Sequence, residues 1–434
     1  MLELWGGHEC TVNRIGDAFF DQTVRSGHQQ RIGDLALFAA LGLKALRYPV
    51  LWERVSPDAP EVRDWSWSDE RLAEIRRLGL RPIAGLLHHG SGPRYTDLLS
   101  DGFVAGLARH ARAVAERYPW IEDWTPVNEP LTTARFSALY GHWYPHLSDE
   151  RSFWLALLNE IEGTAAAMRE IRRVNPQARL IQTEDLGQAY GTPPFAAEVA
   201  YQNQRRWISW DLLAGRVTPE HPLRARLDAF GLARRLDALA DAPCPPDVLG
   251  VNFYPTSERF LDHRAELYPQ WVAGTEGQFD MDAVRVLDPG PVGLEGLLTQ
   301  AWARYNLPLA VTESHLNGSL DDQMRWGLDA WAMAGRLQAR GVDVRAVTSW
   351  ALLGSFDWNS LLTRQAGFYE PGAFDVSGGA PRATELADML THLGSGGDAA
   401  DWVRSHPALE VPGWWRGDGR LTLPPYRWLD AAGP

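Results

Sequence analysis

The sequence predicts an α/β fold, a single (β/α)8 TIM barrel, and three observations favour it. Eight short β-prone apolar runs are spread in order along the 434 residues. Most of these runs are continuous rather than alternating, as buried parallel strands are, and most are followed by an amphipathic helical pattern. A chain of this length could also hold two modest domains, but eight strand–helix alternations are typical of one closed barrel.

The predicted strands define the domain organisation. They span residues 2–5, 44–50, 81–88, 121–127, 178–183, 247–254, 307–312 and 344–352. We assign residues 1–393 to the barrel, with a last helix over 383–393, and residues 394–434 to a C-terminal extension packed on the barrel. The stretch 254–294 is rich in Gly, Pro and Asp and is predicted to be a long irregular loop on the catalytic face.

Three of the intervening helices carry start signals. Ser148 is predicted to be the N-cap of a helix that stops at Asn175. Ser319 begins a capping-box-like sequence that ends at Asp322. Asp69 is predicted to open a third helix, whose apolar residues recur at helical spacing.

The composition is that of an ordinary globular protein and excludes several functional classes. Apolar residues make up 45% and charged residues 22% of the chain,. The net charge of -13 argues against nucleic-acid binding and disfavours polyanionic substrates,. The sequence shows neither a signal peptide nor a run of about 18 apolar residues, so we expect a cytoplasmic protein that does not bind membranes.

We expect neither a metal nor a cofactor. The cysteines, Cys10 and Cys244, could be bridged, but two free packed thiols suit a reducing compartment better,. His88 and His89 are adjacent in a predicted strand, so they should point to opposite faces and cannot share one metal ion. The sequence has no paired-cysteine spacing, no metalloprotease motif and no phosphate-cradling loop.

Two glutamates follow buried strands and carry the candidate chemistry. Glu129 lies in Thr125-Pro-Val-Asn-Glu-Pro130, after the fourth strand, and Glu313 lies in Val311-Thr-Glu-Ser314, after the seventh. Because the carboxyl ends of barrel strands share one face, both side chains should meet there. One protonated and one ionised carboxyl group suffice to cleave a glycosidic bond with retention of configuration. The alternative for Glu313 is a surface carboxylate that caps the helix near Ser319.

Three further side chains are predicted to support this pair. Asn128 can donate an amide hydrogen bond to a sugar hydroxyl. Arg47, at the end of the second strand, needs a buried carboxylate partner; Glu313 is the natural one, and a structural salt bridge with Glu53 is the alternative. The hydroxyl of Tyr254 can hydrogen-bond Glu313, although a tyrosine at a strand end is also common packing.

Tryptophan is abundant, with 20 residues in the chain. Most should be structural, but flat sugar faces stack on indole rings. Six tryptophans fall at or just beyond predicted strand ends: Trp5, Trp52, Trp124, Trp143, Trp350 and Trp358.

Taken together, these motifs resemble glycoside hydrolase family 1, the retaining β-glycosidases with a clan A (β/α)8 barrel. The likeness runs in order from about residue 4 to residue 393. It rests on Asn128-Glu129-Pro130, Thr312-Glu313, Leu46-Arg-Tyr-Pro49, His89-Gly-Ser-Gly-Pro93, Asn252-Phe-Tyr254 and Trp350-Ala-Leu-Leu-Gly-Ser-Phe-Asp-Trp358. The resemblance implies Glu313 as nucleophile and Glu129 as general acid/base.

The resemblance also implies a set of sugar-binding residues, several of which depart from the family pattern. Asn13 stands where the family has Gln, Gly90 where it has Trp, and Asp357 where it has Glu. An unusual sugar in the −1 site is therefore expected. The implied substrate-binding residues are Asn13, His89, Asn252, Trp350, Asp357 and Trp358. Two acids are added to the predicted substrate-binding set: Glu9, near Asn13, and Glu184, which ends the fifth strand and has a structural pairing with an arginine such as Arg135 as its alternative.

The chain is also similar to a bacterial group in which such a barrel precedes a dTDP-4-dehydrorhamnose reductase-like domain. Gly6-Gly-His-Glu-Cys-Thr-Val-Asn-Arg14 and Gly141-His-Trp-Tyr-Pro-His146 carry that likeness. The hypothesis is a cytoplasmic, cofactor-free β-glycosidase acting on a small carbohydrate, by hydrolysis or transglycosylation. The alternative is a non-hydrolytic sugar-binding or scaffold partner of nucleotide-sugar or surface-polysaccharide enzymes. A homo-oligomer or a complex with a separate nucleotide-sugar enzyme is compatible with either.

Overall fold

A closed barrel of parallel strands forms the centre of the molecule. The computed structural model describes residues 2–268, 279–422 and 425–427. The barrel strands are β1 (Glu3–Gly7), β2 (Ala45–Pro49), β3 (Arg81–Gly85), β4 (Asp123–Thr125), β5 (Arg179–Asp185), β6 (Val248–Asn252), β7 (Leu309–Ser314) and β8 (Val344–Ser349). Each strand pairs with the next along the chain, and β8 pairs with β1 through the register Trp5↔Thr348. The predicted (β/α)8 barrel is confirmed.

The third and fourth predicted strands extend too far at their carboxyl ends. β3 stops at Gly85 and β4 at Thr125. Beyond them His89 and Glu129 have left-handed backbones, with φ of 55° and 45°. A β-strand cannot include a residue with a left-handed backbone, so His89 and Glu129 lie on irregular segments beyond the strand ends.

Helices surround the barrel. In chain order they are α1 (Gln22–Arg25), α2 (Asp34–Ala40), α3 (Trp52–Val55), α4 (Ser66–Arg77), α5 (Phe103–Arg117), α6 (Pro130–Ala134), α7 (Glu150–Val174), α8 (Ala196–Arg205), α9 (Ile208–Leu213), α10 (Arg224–Ala229), α11 (Ala233–Asp241), α12 (Gly293–Tyr305), α13 (Leu320–Ala339), α14 (Glu385–Gly394) and α15 (Ala399–Ser405). A π-helical turn, Arg135–Leu139, continues α6, and short 3-10 turns lie at Pro193–Phe195, Ala265–Leu267, Ala283–Arg285, Trp358–Ser360, Pro407–Glu410 and Asp418–Arg420.

The helix starts correct one capping prediction and confirm another. Asp149, not Ser148, caps α7, because its side chain lies within reach of the amide of Ser152 at 2.9 Å. Ser319 accepts the amide of Asp322 at 3.1 Å and begins α13, as predicted. The helix predicted to open at Asp69 begins one turn earlier, since α4 starts at Ser66.

Apolar side chains fill both faces of the barrel wall. Inside, near the amino-terminal end, a small cluster contains Trp5, Ala45, Ile83, Ile181, Ala310 and Ala346. Outside, the continuous apolar runs of the strands pack against the buried stripes of the helices. The strands are buried on both faces, which explains why the sequence runs are continuous rather than alternating.

The segment predicted as a long irregular loop contains regular structure. Arg259–Asp262 pairs with Ala189–Gly191 in parallel and with Phe279–Asp282 antiparallel, forming a three-stranded sheet outside the barrel. Residues 269–278 of the predicted loop lie outside the described residues. The short pairs Val12–Ile15 with Ala18–Asp21, Ser355–Phe356 with Tyr369–Glu370, and Phe374–Asp375 with Arg382–Ala383 complete the loops.

The described part of the C-terminal extension contacts α13. The indole N–H of Trp415 donates to Asp329 at 3.0 Å, and the Trp415 ring lies 5.5 Å from that of Trp326. Residues 423–424 and 428–434 of the predicted extension lie outside the described residues. The division at residue 393 stays a prediction.

Two further features concern the predicted compartment. Cys10 and Cys244 are both free and buried, as predicted. Across residues 2–268, 279–422 and 425–427, no helix combines the length and apolar character that crossing a membrane requires.

Substitution by alanine should change the stability of the protein in opposite directions at two helical glycines, Gly106 and Gly335. A Cβ at Gly106 in α5 would lie 2.4 Å from Cη2 of the Trp52 indole, whereas one at Gly335 in α13 would meet nothing within 4 Å. Urea unfolding should therefore show Gly106→Ala destabilised by about 1–3 kcal/mol. Gly335→Ala should be stabilised by about 0.5–1 kcal/mol, because alanine is the better helix former. A Gly106→Ala protein as stable as wild type would contradict this packing.

Candidate active site

Glu129 and Glu313 lie at the carboxyl ends of the barrel strands, and the amide of Asn252 connects Glu129 to Thr312, the neighbour of Glu313 in sequence. Glu313 belongs to β7 and is in register with Asn252 of β6, while Glu129 lies four residues beyond β4. Asn252 donates from Nδ2 to Glu129 Oε1 at 2.5 Å, and its Oδ1 accepts the Thr312 hydroxyl at 2.7 Å. The two carboxyl groups, distant in sequence, thus share one buried site.

Glu313 has partners that favour its ionised form. Arg47 donates from Nη1 to Oε1 at 2.7 Å, and the Tyr254 hydroxyl donates to Oε2 at 2.5 Å. A guanidinium and a phenol together compensate the carboxylate for its loss of water. The contacts that the sequence predicted from Arg47 and Tyr254 to Glu313 are confirmed, and the structure does not place Glu53 as the partner of Arg47.

Glu129 has the opposite environment. Burial, the negative charge of Glu313 and then that of Asp185 raise the pKa of Glu129 well above its usual range; the hydrogen bond from Asn252 opposes this only in part. The nearest cationic candidate, His89, keeps Nε2 3.9 Å from Oε2 of Glu129. Glu129 is therefore suited to hold a proton at neutral pH.

Asn128 connects the surrounding side chains. Its Oδ1 accepts from Arg47 Nη2 at 2.6 Å and from the Thr183 hydroxyl at 2.8 Å. Its Nδ2 lies 3.2 Å from Nε2 of His88 and 3.3 Å from Nε2 of His89. The amide orientation is thereby fixed from both sides.

The prediction that His88 and His89 point to opposite faces is wrong. Both rings converge on Asn128 because the left-handed backbone of His89 ends the alternation of a strand. Burial, together with the charge of Arg47, lowers the pKa of His89 to about 3, so the ring is neutral. Within the described ranges, His, Cys, Asp and Glu form no group of three that could hold a metal.

Four of the predicted sugar-binding residues lie at the same carboxyl-terminal end of the barrel: Glu9, Asn13, Trp350 and Trp358. Glu9 accepts the Thr11 amide at 2.8 Å and the indole N–H of Trp358 at 3.0 Å. Asn13 donates to the carbonyl of Leu362 at 3.1 Å, and its buried Oδ1 has no partner among the described residues.

The ring of Trp350 forms the floor beside these residues. It stacks on the imidazole of His88 with centroids 5.4 Å apart, and the guanidinium of Arg47 lies 4.7 Å from its centroid. An added Cβ at Gly7 would lie 2.5 Å from this indole, so only glycine allows the ring to lie against β1.

Asp357 and Glu184 are held mainly by protein groups. One oxygen of Asp357 accepts the amides of Ala366 and Phe368, and the other lies 3.1 Å from Nη2 of Arg25. Glu184 is fully buried behind Glu129 and accepts the Leu131 amide at 2.9 Å. In the described structure these carboxyl groups organise the loops that carry the site.

The six tryptophans singled out by sequence separate into two groups. Trp143 and Trp358 have ring centroids 5.3 and 5.6 Å from that of His89, and Trp350 is next to His88. The other three are structural: Trp5 lies inside the amino-terminal end of the barrel, and Trp52 and Trp124 are buried in the outer core.

Sequence reasoning missed the role of Glu53. A Cβ at Gly90 would lie 1.9 Å from Glu53 Oε1, so this carboxyl group fills the space that a larger residue at position 90 would need. Glu53 also accepts the Gly92 amide at 3.0 Å, and burial raises its pKa to about 8. The departure at Gly90 was visible in the sequence, but the group that fills the space comes from another loop.

Comparisons with known proteins agree with this geometry. The family described as Glycosyl hydrolase family 1 matches residues 10–370. β-Glucosidase 4 of Oryza sativa subsp. japonica is 25% identical over 420 residues, covering 84% of each chain. A 6-phospho-β-glucosidase of Dickeya chrysanthemi is 22% identical over 383 residues, covering 79% of each. The structure of the family 1 β-glucosidase of Thermotoga maritima aligns with a TM-score of 0.72 at 16% identity, covering 91% of this chain and 98% of that one.

Substitution by leucine should change the stability of the protein differently at two buried glutamates, Glu184 and Glu160. Glu184→Leu removes the acceptor of the Leu131 amide and should lower the free energy of unfolding by about 1–3 kcal/mol in urea titrations,. Glu184→Gln keeps an acceptor oxygen and should lose much less. Glu160, whose side-chain oxygens have no hydrogen-bond partner in the described residues, is the control: Glu160→Leu should be neutral or stabilising,. Equal losses in both leucine variants would show that Glu184 does not hold the turn.

Proposed function

The chain belongs to glycosyl hydrolase family 1, and on that premise we propose that it is a retaining β-glycosidase with Glu313 as nucleophile and Glu129 as general acid/base. Members of this family are glycoside hydrolases that act on O-glycosyl bonds. The single observation that carries the proposal is the unequal environment of the two carboxyl groups. Arg47 and Tyr254 both donate to Glu313, while Glu129 is buried without a cation and has a raised pKa.

In the first step, Glu313 attacks the anomeric carbon and displaces the leaving-group oxygen. Glu129 gives its proton to that oxygen, so the leaving group departs as a neutral alcohol. Arg47 and Tyr254 hold Glu313 in place by hydrogen bonds until it attacks. The raised pKa of Glu129 supplies the proton that the first step needs,.

In the second step, Glu129 has become the general base. It takes a proton from water, whose oxygen attacks the anomeric carbon and releases Glu313 from the glycosyl ester. An alcohol in place of water gives transglycosylation by the same route. When Glu313 is esterified, its charge no longer raises the pKa of Glu129, so Glu129 is more readily ionised at the moment when a base is needed,.

The substrate is proposed to be a small β-glycoside with an atypical glycone. Asn13, Gly90 and Asp357 differ from the usual family residues, and Glu9 adds a carboxyl group to the pocket wall. The net charge of -13 disfavours a uronic acid in the −1 site and favours a neutral sugar or one bearing an amine,. His89, Asn252, Trp350 and Trp358 are the other proposed contacts.

Three broader predictions accompany the function. A cytoplasmic location, a likeness to the reductase-fused group and association with a separate nucleotide-sugar enzyme are all proposals that rest on the sequence. The alternative of a non-hydrolytic sugar-binding partner has less support, since a binding module has no need for an ionised and a protonated carboxyl group side by side.

A mechanism-based label tests the nucleophile. Incubation with a panel of 2-deoxy-2-fluoro β-glycosides should leave one glycosyl adduct on the peptide that contains Glu313, detected by mass spectrometry. Glu313→Gln should remove the adduct, because the amide is a poor nucleophile. Failure to label across the panel, or a label on another carboxylate, would overturn the assignment.

The pH profile tests the acid/base role. Because Glu129 must be protonated at the start, kcat/KM falls as the pH rises through the pKa of Glu129. Asp185 contributes to the raised pKa, so Asp185→Asn should move the basic limb to lower pH,. Asp17→Asn makes the same charge change on a fully exposed side chain and should leave the limb in place. A basic limb that does not move in Asp185→Asn, or moves equally in both variants, contradicts the prediction.

A further inference from the structure

A small cavity with a cationic wall lies beside the carboxyl end of β5. Its volume is about 50 Å3, and its lining includes Arg135, Arg205, Arg206 and Arg259 together with Asp185. By comparison, one enclosed water needs roughly 10–15 Å3 measured in this way. The cavity therefore has room for a compact polar group, about the size of a few waters.

Two of the four guanidinium groups have unused donors. Nε and Nη1 of Arg206 and Nε of Arg135 are buried, and none has a hydrogen-bond partner among the described residues. Arg206 donates from Nη2 to Gln300 at 2.8 Å, and its guanidinium carbon lies 4.7 Å from the ring centroid of Trp207. Burial lowers the pKa of Arg206 to about 10, with the charge of Glu258 opposing the shift. Buried donors of a cation are costly to leave unpaired, so this wall lacks an acceptor.

The other cations of the wall are already occupied. Arg259 is paired with Asp280 and Asp282, at 2.8 Å for the Asp280 carboxylate. Arg205 lies 5.1 Å from the ring centroid of Tyr201. Among the described residues, no buried guanidinium nitrogen of Arg205 or Arg259 is without a partner, so the unused donors are those of Arg135 and Arg206.

The carboxyl group of Asp185 in the lining does not neutralise the positive charge of Arg135 and Arg206. Asp185 accepts the hydroxyl of Ser257 at 2.6 Å, and its carboxyl group interacts with Arg135 through charge. Burial raises the pKa of Asp185, and the charge of Glu313 adds to the shift. Arg135 and Arg206 line the cavity with this single carboxyl group, so the wall keeps a net positive charge,.

The cavity adjoins the candidate catalytic pair on the side of Glu129. Leu131, which lines it, follows Glu129 by two residues. Ser257, also in the lining, accepts the amide of Tyr254 at 3.0 Å, and the hydroxyl of Tyr254 contacts Glu313. A group in this cavity would thus lie beside the acid that protonates the leaving group, rather than beside the glycone residues on β1 and β8.

From this placement we propose that the cavity is a subsite for a compact oxyanion, a carboxylate or phosphate, carried by the leaving group of the substrate. Arg135 and Arg206 would donate to its oxygens, since the planar guanidinium fork matches both groups. This inference rests on the proposed glycosidase function and adds the chemical class of the leaving group.

Anion binding is tested first without catalysis. Inorganic phosphate and benzoate are added separately at ionic strength matched with chloride, and the unfolding temperature is recorded. At least one of the two should raise the Tm of wild type, and Arg206→Met should abolish that rise. Arg112→Met removes an exposed arginine of α5 and should keep it. A response to phosphate alone or to benzoate alone identifies which oxyanion the subsite accepts.

Catalysis gives the second test, with the glycone found by screening neutral nitrophenyl glycosides. For carboxyphenyl and carbamoylphenyl glycosides of that sugar, the ratio of kcat/KM should be about tenfold higher in wild type than in Arg206→Met. Comparing the ratio between enzymes cancels the intrinsic reactivity of the two leaving groups. Arg135→Gln provides a second variant if Arg206→Met does not fold.

The outcomes separate the subsite from the glycosidase function. Turnover of neutral glycosides with no Tm response, or with equal leaving-group ratios in wild type and variants, overturns the subsite and leaves the glycosidase intact. Equal Tm shifts in wild type and Arg206→Met overturn it as well. Absence of any turnover counts against the glycosidase proposal, and the Tm experiment still decides whether the cavity binds an anion.

Discussion

The site depends on one buried cation. Arg47 on β2 donates at 2.7 Å to Glu313 on β7, at 2.8 Å to the carbonyl of Thr312, and at 2.6 Å to Asn128 after β4. It is only 5% exposed, so its charge would be costly without these acceptors,. Only a closed barrel brings strands two, four and seven within the reach of one side chain. The closed barrel and the charge balance of the site therefore both require that Arg47, Glu313 and Asn128 lie together.

The difference between the two carboxyl groups follows from which acceptors the guanidinium of Arg47 contacts. Arg47 donates to Glu313, Thr312 and Asn128, which leaves Glu129 with the amide of Asn252 as its direct partner. An amide stabilises a carboxylate less than a guanidinium does, and the charge on Glu313 repels a second one. One arginine thus gives Glu313 a cationic partner, while burial and the charge of Glu313 raise the pKa of Glu129.

The sequence predicted those features of the fold and site that depend on local residue patterns. Continuous apolar runs located all the barrel strands, and a buried arginine at a strand end pointed to Glu313, because such a cation requires a carboxylate. The convergence of His88 and His89 was mispredicted, since it depends on a left-handed backbone at His89 that alternation rules do not anticipate. The contact of Glu53 with Gly90 and the unpartnered donors of Arg206 were not predicted, because their surroundings come from loops far apart in the chain.

The acids around the site are less negative than their number suggests. Burial raises the pKa of Glu53 and of Glu184 to about 8, and that of Glu9 is raised as well. At neutral pH the first two carry protons for most of the time, so they offer O–H donors as well as acceptors. Glu53 and Glu184 both accept backbone amides, those of Gly92 and Leu131, so their protonation lowers the negative charge around the site. Consistent with this, the carboxyl groups of Glu313 and Asp185 raise the pKa of Glu129 more than that of Glu184 does.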